Sequence, residues 1–441
     1  MGKNHVRELA LHLLTEWETG DRFINLVLED ERVAALSSKD RRFLTALLYG
    51  TVERLLTLDY YIEQLANRPL KNMAPHTRRV LRLGLYQLCF MDGVPDHAAV
   101  SETVALAGSR AERGFVNAIM RTAQRAPERL ALPAGDVARR LSLTYSFPRS
   151  TVRHFLREYG EEMSEKILAA FNETQPLTLR VNTPRISRAA LLTALREAGY
   201  AAEETVYSPV GIRLGESVDP TSLPGFAEGH FFVQDEASQI AVAALGACPG
   251  ALVVDTCACP GGKSFGAAMD MGDRGTLYAF DLHESKLPLI EKGAARLGLS
   301  CVRPSVHDGE NAKNELCNKA DYVICDAPCS GLGVLGKKAD LRYRGGERLE
   351  SLPPLQQRIL DAAAQYVRPG GALVYSTCTL NRAENEDVRA AFLASHPNFE
   401  AVPFSVGALE APTGSCRLLP PVHQTDGFFI AKFKRKQDDA I

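Results

Sequence analysis

The 441-residue sequence predicts a multi-domain chain: an all-α N-terminal domain, a small α+β middle domain and a C-terminal α/β domain. Three observations predict it. Apolar residues recur at helical spacing up to about residue 130, and proline and glycine interrupt the pattern at 126–140. From residue 231 short buried-strand patterns then alternate with helical ones. The length alone is too great for one hydrophobic core.

Residues 1–130 form the first predicted domain. Val6, Leu9, Ala10, Leu13, Leu14 and Trp17 make one apolar helix face; Phe43, Leu44, Leu47 and Leu48 repeat the spacing, as do Leu81, Leu85 and Leu88. Breaks such as Met-Asp-Gly-Val-Pro at 91–95 separate the helices. Pro127, Pro133 and Gly135 mark a linker. Residues 141–230 form the second domain. There, 177–181 alternates and is partly β-branched, hence a strand, and Ser187 is set to cap a helix that Gly199 stops. The third domain, 231–436, carries strand patterns at 252–255, 275–281, 321–326 and 371–376, with helical stretches such as 358–367 between them. Such alternation builds a Rossmann-like parallel sheet with helices on both faces, and its ligands sit beyond the carboxyl ends of the strands.

Composition narrows the class. Apolar residues at 45% and charged residues at 24% describe a globular chain. No apolar run reaches the roughly 18 residues of a membrane span. The opening Met-Gly-Lys-Asn-His leads straight into an amphipathic pattern without a signal-peptide apolar stretch. The expectation is a cytoplasmic protein with no membrane partner; nothing suggests more than a monomer. The net charge of −2 rules out a globally basic nucleic-acid binder, so any such contact must be local. The candidate patch is 68–82, where Arg68, Lys71, Arg78, Arg79 and Arg82 occur without an intervening acid; its plainer reading is a solvated helix face. Ten cysteines, nine of them after residue 240, fit neither a disulfide scaffold nor a zinc site. Cys257-Ala-Cys259 is tighter than a usual zinc pair and has no His partner nearby, so no metal is expected. Core filler or nucleophiles remain.

The chemistry gathers at the strand ends. The first strand runs into Asp255-Thr-Cys-Ala-Cys-Pro-Gly-Gly-Lys-Ser264, where paired glycines allow a ligand close to the backbone; a plain tight turn would look the same. The second ends at Asp281, a carboxylate suited to a ribose diol, and Asp308 follows the next strand. Each, taken singly, could be a helix cap. The third ends in Asp326-Ala-Pro-Cys-Ser-Gly331 and the fourth in Tyr375-Ser-Thr-Cys-Thr379. Cys329 and Cys378 thus stand at the carboxyl ends of two strands, one of them three residues after an Asp.

Asp-x-Cys-Ala-x-Pro-Gly-Gly-Lys at 255–263, Asp-Ala-Pro-Cys-Ser-Gly at 326–331, Ser-Thr-Cys at 376–378, Phe-Val-Gln-Asp-Glu-Ala-Ser at 232–238 and Asp-Gly-Phe-Phe-Ile at 426–430 together resemble the bacterial rRNA cytosine-5 methyltransferases of the RsmB (Fmu/Sun) type, within the Nop2/Sun family. Residues 80–95 and Gly-Phe-Val-Asn-Ala at 114–118 resemble NusB, an RNA-binding antitermination factor. The likeness spans nearly the whole chain. Small departures are Cys259 for alanine, Ser264 for threonine and His307 before Asp308.

The resemblance implies S-adenosylmethionine as cofactor, held by Cys257, Ala258, Cys259, Pro260, Gly261, Gly262 and Lys263 with Asp281, Asp308 and Asp326. It implies methylation of carbon 5 of a cytosine in 16S rRNA, with Cys378 as nucleophile at carbon 6. Cys329 would serve product release, Asp326 would bind N3 and the exocyclic amine, and Lys263 would tune their charge. Carbon 5 of cytosine is a poor nucleophile until a thiolate adds at carbon 6, so the reaction needs a thiolate, an acid at N3 and a base for the C5 proton. The DNA cytosine-5 enzymes instead use the cysteine of a Pro-Cys pair, which here is Pro328-Cys329. Their Glu-Asn-Val motif is matched only by Glu384-Asn-Glu386, expected on a surface helix. The cytosine must be unstacked to be reached, and Tyr375 and Phe147 are candidate stacking faces, each equally a core residue. A tRNA substrate, or a non-catalytic RNA-binding assembly factor on the same fold, are the competing readings.

Overall fold

The computed structural model describes residues 5–20, 22–215, 218–344 and 349–437. The chain divides into two units: Met1–Asn172 with Leu335–Gly346, and Glu173–Val334 with Glu347–Ile441.

The first unit is helical, built from α1 (His5–Thr19), α2 (Ile24–Val27), α3 (Glu31–Ala34), α4 (Ser38–Glu53), α5 (Leu55–Ala66), α6 (Pro75–Phe90), α7 (Asp96–Leu106), α8 (Arg110–Arg125), α9 (Val137–Tyr145) and α10 (Arg149–Ala170). Local chemistry sets the ends. Pro75 opens α6, where its missing N–H costs nothing. The Ser109 hydroxyl accepts from the Glu112 N–H (3.1 Å), and the Glu112 carboxylate reaches back to the Gly108 N–H (2.9 Å), a capping box displaced by one residue. The apolar stripe of α1 meets Leu44, Leu47 and Leu48 of α4 in one core. Leu58, Ile62, Val80, Leu81, Leu85, Val116 and Met120 form a second.

Two readings change here. Residues 141–172, assigned from sequence to the middle domain, pack with the helical unit. Thr57 Oγ1 donates to the Leu143 carbonyl (2.6 Å) and the Leu56 N–H to Ser146 Oγ (3.0 Å). The basic stretch 68–82 is mostly committed to structural contacts. Buried Arg82 donates to both oxygens of Asp59 (2.6 and 2.8 Å) and to Glu18 (2.8 Å), and buried Arg79 pairs with Glu18. Arg68 lies over the Phe115 ring at 4.3 Å. Residues 335–344 complete this unit. Asp340 Oδ2 accepts from the Ile24 N–H (2.8 Å) at the start of α2. Buried Arg342 donates to the Phe171 carbonyl (3.1 Å) and Asn172 Oδ1 (2.8 Å), and stands 4.1 Å over the Phe147 ring. Phe147 is therefore core, not a stacking face.

The second unit holds two large sheets and a small two-stranded one pairing Phe404–Val406 with Leu409–Ala411. β1 (Leu177–Val181), α11 (Arg188–Glu197), β2 (Ala202–Glu204), β3 (Gly211–Leu214) and β4 (Phe231–Val233) make a four-stranded antiparallel sheet in the order β2-β3-β1-β4. Ser187 caps α11 by accepting from the Ala190 N–H (3.2 Å). β4 pairs with β1 (Val181↔Phe231), so this sheet runs one strand beyond residue 230.

Then follow α12 (Glu236–Leu245), β5 (Leu252–Asp255), α13 (Gly262–Asp270), β6 (Thr276–Asp281), α14 (Leu287–Leu297), β7 (Val302–Val306), β8 (Ala320–Asp326), α15 (Leu352–Tyr366), β9 (Val367–Thr377), α16 (Glu386–Ser395), β10 (Phe399–Ala401), β11 (Ser415–Leu418) and β12 (Phe428–Arg435). The large sheet has the order β10-β12-β9-β8-β5-β6-β7, with β11 also on β12. β9, β8, β5, β6 and β7 are parallel, as the alternation predicts. β12 is not: it lies antiparallel to β9 (Thr377↔Phe429), so the sheet is mixed. It arrives in the opposite sense because it pairs with β11 as an antiparallel neighbour (Ser415↔Ala431). One apolar layer joins Val253 and Leu277 to Ile240, Phe265 and Ile290; another, on different sheet residues, joins Val254 and Val323 to Ile359, Leu360 and Phe392. The strand order reverses between β5 and β8, and the crevice beyond their carboxyl ends is where such sheets take ligands. Among the described residues, no helix is long and apolar enough to cross a membrane.

Candidate functional site

β5 delivers Asp255 into that crevice. It is fully buried, accepts from Ser264 Oγ (2.6 Å), and burial pushes its carboxyl up to about 7. Ser264 in place of threonine keeps the hydroxyl this contact needs. The chain then turns through 256–261. The Ala258 N–H donates to the Phe280 carbonyl (2.7 Å) and the Cys259 N–H to Asp281 Oδ2 (3.3 Å), so the loop is fastened to β6. Gly261 has φ of +110°, and a Cβ there would stand 2.3 Å from the Phe265 ring, so only glycine fits. α13 starts at the next residue, and the N–H groups of Gly262, Lys263 and Ser264 are the donors that intrahelical bonding leaves over.

Asp281 closes β6. Its oxygens accept from the backbone of His283 (3.0 Å) and Cys259 (3.3 Å), which fixes the carboxylate at the crevice edge beside Leu282, 59% exposed. Asp308 follows β7 and accepts from the Glu310 N–H and Asn311 Nδ2, both at 3.0 Å. A Cβ on the next residue, Gly309, would lie 3.2 Å from the Thr256 carbonyl oxygen and 3.5 Å from Cys257 Sγ, so this loop lies against the β5 loop. His307 turns back onto its own loop, at 2.6 Å from the Asn311 carbonyl. Burial drives the Cys257 thiol far up and raises that of Cys259, with the Asp255 and Asp281 carboxylates adding to each respectively; both stay neutral thiols. Helix-start donors suit a ligand carboxylate, the two Asp carboxylates a diol and an amine, and the exposed leucine a flat ring, which together is the chemistry of S-adenosylmethionine.

The second half of the site lies on β8 and β9. Buried Lys263 Nζ donates to Asp326 Oδ2 (2.6 Å) and stands 5.0 Å from the Phe428 ring centre; Ser376 Oγ donates to Asp326 Oδ1 (2.7 Å). Cys329 and Cys378 meet with their sulfurs 3.2 Å apart, each partly exposed. The Cys329 thiol is driven far up, first by its hydrogen bond to Cys378, then by burial and the charges of Cys378 and Glu384. Tyr375 is fully buried and donates to the Glu384 carbonyl (2.6 Å), so it offers no stacking face.

Sequence reasoning misplaced two residues and missed a contact. Glu384 and Asn385 are not on a surface helix: both are completely buried, with Glu384 in a single 3-10 turn before α16. The Glu384 carboxylate accepts from the Ser330 N–H (2.8 Å), Ser330 Oγ (2.6 Å), Gln356 Nε2 (2.9 Å) and Asn381 Nδ2 (2.9 Å). The missed contact is Gly333 against Gly427. The Gly333 N–H donates to the Cys378 carbonyl (3.0 Å), the Gly427 N–H to the Gly333 carbonyl (2.8 Å), and a Cβ on Gly427 would lie 2.7 Å from Gly333 Cα. The glycine of the Asp-Gly-Phe-Phe segment was the only trace of it in the sequence. Among the described residues no group of three or more His, Cys, Asp or Glu side chains could hold a metal ion.

Residues 242–434 match the 16S rRNA methyltransferase RsmB/F family, residues 4–125 the NusB family, and residues 147–221 the ferredoxin-like domain of RsmF/B-like methyltransferases. The probable ribosomal RNA small subunit methyltransferase B of Synechocystis sp. is 38% identical, covering 97% of this chain and 99% of its own. That of Bacillus subtilis is 35% identical over 99% of this chain and 100% of its own. The crystal structure of PH0851 superposes with a TM-score of 0.80 at 25% identity, covering 99% of both chains. With identity of this order along essentially the full length of both partners, the chain belongs to the ribosomal RNA small subunit methyltransferase B family.

Proposed function

We propose that this protein methylates carbon 5 of a cytosine in 16S rRNA through a transient bond between Cys378 and carbon 6. The observation that carries the reading is the 3.2 Å pair of Cys329 and Cys378 beside the Lys263–Asp326 ion pair. The cofactor, S-adenosylmethionine, supplies an electrophilic methyl group. Cys257, Ala258, Cys259, Pro260, Gly261, Gly262 and Lys263, with Asp281, Asp308 and Asp326, are the residues proposed to hold it.

The raised Cys329 thiol supports the proposed division of roles. Pushed up first by its hydrogen bond to Cys378, it favours keeping its proton, which supports Cys378 as the proposed nucleophile. The Cys378 sulfur adds to carbon 6, and the electron pair of the 5,6 double bond moves toward carbon 5. Asp326 takes N3 and the exocyclic amine. Joined to the Lys263 ammonium, it can pass a proton to N3 as the adduct forms. Once Cys378 is a thioether its charge is gone, and with it a main reason for Cys329 to hold its proton. Cys329 loses that proton to solvent and then takes the proton from carbon 5. The C–H electron pair restores the double bond, the S–C6 bond breaks with its pair returning to Cys378, and N3 gives its proton back to Asp326.

The helical unit is proposed to grip the RNA around the target. With Arg79 and Arg82 committed to Glu18 and Asp59, α8 offers the better surface. Arg110, Arg113, Arg121 and Arg125 are exposed at spacings that share one helix face. That face borders a cavity of about 420 Å³ lined by His97, Ser101, Asn117, Arg121 and Gln124. The protein is proposed to work as a cytoplasmic monomer.

The test is labelled methyl transfer from S-adenosylmethionine to unmodified 16S rRNA, with unmodified tRNA alongside and nuclease digestion to identify the nucleoside. 5-Methylcytidine from rRNA is the expected product. Label in another nucleoside would overturn the carbon-5 reading, and label confined to tRNA would overturn the substrate.

A further inference from the structure

Glu384 presents an uncommon arrangement: a completely buried carboxylate with no Lys, Arg or His in ion-pair distance among the described residues. A buried charge of this kind is costly unless hydrogen bonds replace its water. Glu384 collects them from three directions. Ser330, adjacent to Cys329, gives its N–H and its hydroxyl (2.8 and 2.6 Å). Asn381, three residues after Cys378, gives Nδ2 (2.9 Å), and Gln356 of α15 gives Nε2 (2.9 Å). The amides are committed donors. Asn381 Oδ1 accepts from the Ala383 N–H (3.2 Å), and Gln356 Nε2 also donates to the Pro328 carbonyl (3.0 Å), on the other side of Cys329.

We propose that Glu384 is a positioning residue that seats the Cys329 loop against the Cys378 loop, and so serves the step in which the methylated base is released. The assignment of that step rests on the proposed function. The two cysteines depend on Glu384 unequally. Cys378 directly follows β9, which is held between β8 and β12, and its carbonyl is anchored by Gly333, so the long Thr379 Oγ1 contact to Glu384 (3.4 Å) is one of several holds on it. Cys329 sits in the loop after β8, where Ser330 and, through Gln356, Pro328 are tied to Glu384 on both its flanks. Losing Glu384 therefore frees Cys329 first. Its negative charge also faces the Cys329 thiol together with Cys378 and raises it, while the Gly331 N–H acts the other way. A thiol held this way gives a more basic thiolate when it finally loses its proton, which suits abstraction from carbon. In Glu384→Gln the side-chain NH2 group must face committed amide donors at either oxygen position, so the cradle cannot be satisfied.

Two experiments read this out. In methyl transfer to rRNA, Glu384→Gln should still form the Cys378 adduct and hold it as a protein–RNA complex stable in denaturing gels. Turnover should fall about tenfold or more, with KM for RNA falling alongside it because the adduct accumulates. In a Cys378→Ala background, Cys329 alkylation by iodoacetamide should become about tenfold faster at fixed pH with Glu384→Gln, as for a thiol one pH unit more acidic. Ser330→Ala, which removes one arm of the cradle, should move both readouts in the same direction by less, and covers the case in which Glu384→Gln does not fold. Unchanged turnover and unchanged alkylation in folded protein overturn the proposal, as does loss of adduct and turnover together. The alkylation needs no RNA, so a faster Cys329 in a protein that methylates no RNA would sustain the positioning role and defeat the function reading alone.

Discussion

The sulfur atoms of Cys329 and Cys378 stand 3.2 Å apart on loops that leave two neighbouring parallel strands of one sheet. Two thiols at this distance hold one proton between them more tightly than two, and the cause that raises Cys329 vanishes when Cys378 becomes a thioether. Cys378→Ala should therefore form no adduct and lose turnover by at least a hundredfold, about what nucleophilic and acid–base catalysis contribute. Cys329→Ala should add to RNA and then stall, so a denaturing gel should show RNA-bound protein in that variant only. RNA-bound Cys378→Ala would reverse the two roles.

Lys263 is buried and its ammonium pairs with the Asp326 carboxylate at 2.6 Å. Lys263→Met leaves Asp326 without this cation beside the reacting base. Single-turnover methyl transfer should slow by on the order of a hundredfold. Lys263→Arg keeps the charge but places a planar fork where a single point charge sits, and should recover only part of the rate. Full recovery with arginine would mean that charge alone matters and that the 2.6 Å contact does not.

Gly333 and Gly427 touch backbone to backbone directly behind the Cys378 carbonyl. Gly427→Ala puts a methyl group 2.7 Å from Gly333 Cα and 2.9 Å from Leu380, overpacking that costs about 1–3 kcal/mol. Thermal melts should shift down by several degrees, and the Cys329–Cys378 distance should open, read as slower disulfide formation between them under diamide. A variant with wild-type melting and wild-type crosslinking would show that the loops have slack.

Much of the catalytic sheet was legible in sequence because the central parallel strands β5, β8 and β9 are largely buried and, with β6, lead into residues with chemistry: Asp255, Asp281, Asp326 and Cys378. β12 was less so, since its antiparallel pairing with β9 depends on a partner strand distant in sequence. Residues 141–172, read with the middle domain, where a family match also begins at 147, pack against the helical unit because an amphipathic helix states which face is apolar, not which neighbour covers it. Glu384 was misplaced for a related reason. A Glu-Asn-Glu run reads as solvated surface, and only the three-dimensional meeting of Ser330, Gln356 and Asn381 allows its charge to be buried.

Asp255 gives a pH signature. Its carboxyl is lifted from the ordinary range near 4 to about 7 by burial, so the folded state binds the proton more tightly than the unfolded chain. The stability this contributes is fully present below about pH 4 and is lost as pH rises through about 7. Asn at this position does not titrate. The melting temperature of wild type relative to Asp255→Asn should thus fall between about pH 5 and pH 8, whichever protein melts higher at the start. Parallel curves over that range would mean that Asp255 is ionised throughout.

Arg82 and Arg121 separate fold from RNA contact. Arg82 is buried between Asp59 and Glu18, and removing it leaves Asp59 uncompensated and Glu18 with Arg79 alone, which costs about 3–5 kcal/mol. Arg82→Ala should lower the melting temperature sharply, while the folded fraction binds rRNA as before and with the same salt dependence. Arg113 and Arg121 are exposed on α8 and carry no ion pair among the described residues; Arg113 Nε donates to the Ala107 carbonyl and Arg121 Nε to Asn117 Oδ1, both at 3.0 Å. The double change Arg113→Ala/Arg121→Ala should leave melting within about 0.5 kcal/mol of wild type yet weaken rRNA binding. The slope of log affinity against log salt should fall by about one for each phosphate that the variant no longer neutralises. An unchanged slope in the double variant would move the RNA surface off α8, whereas a reduced slope in Arg82→Ala would return it to 68–82.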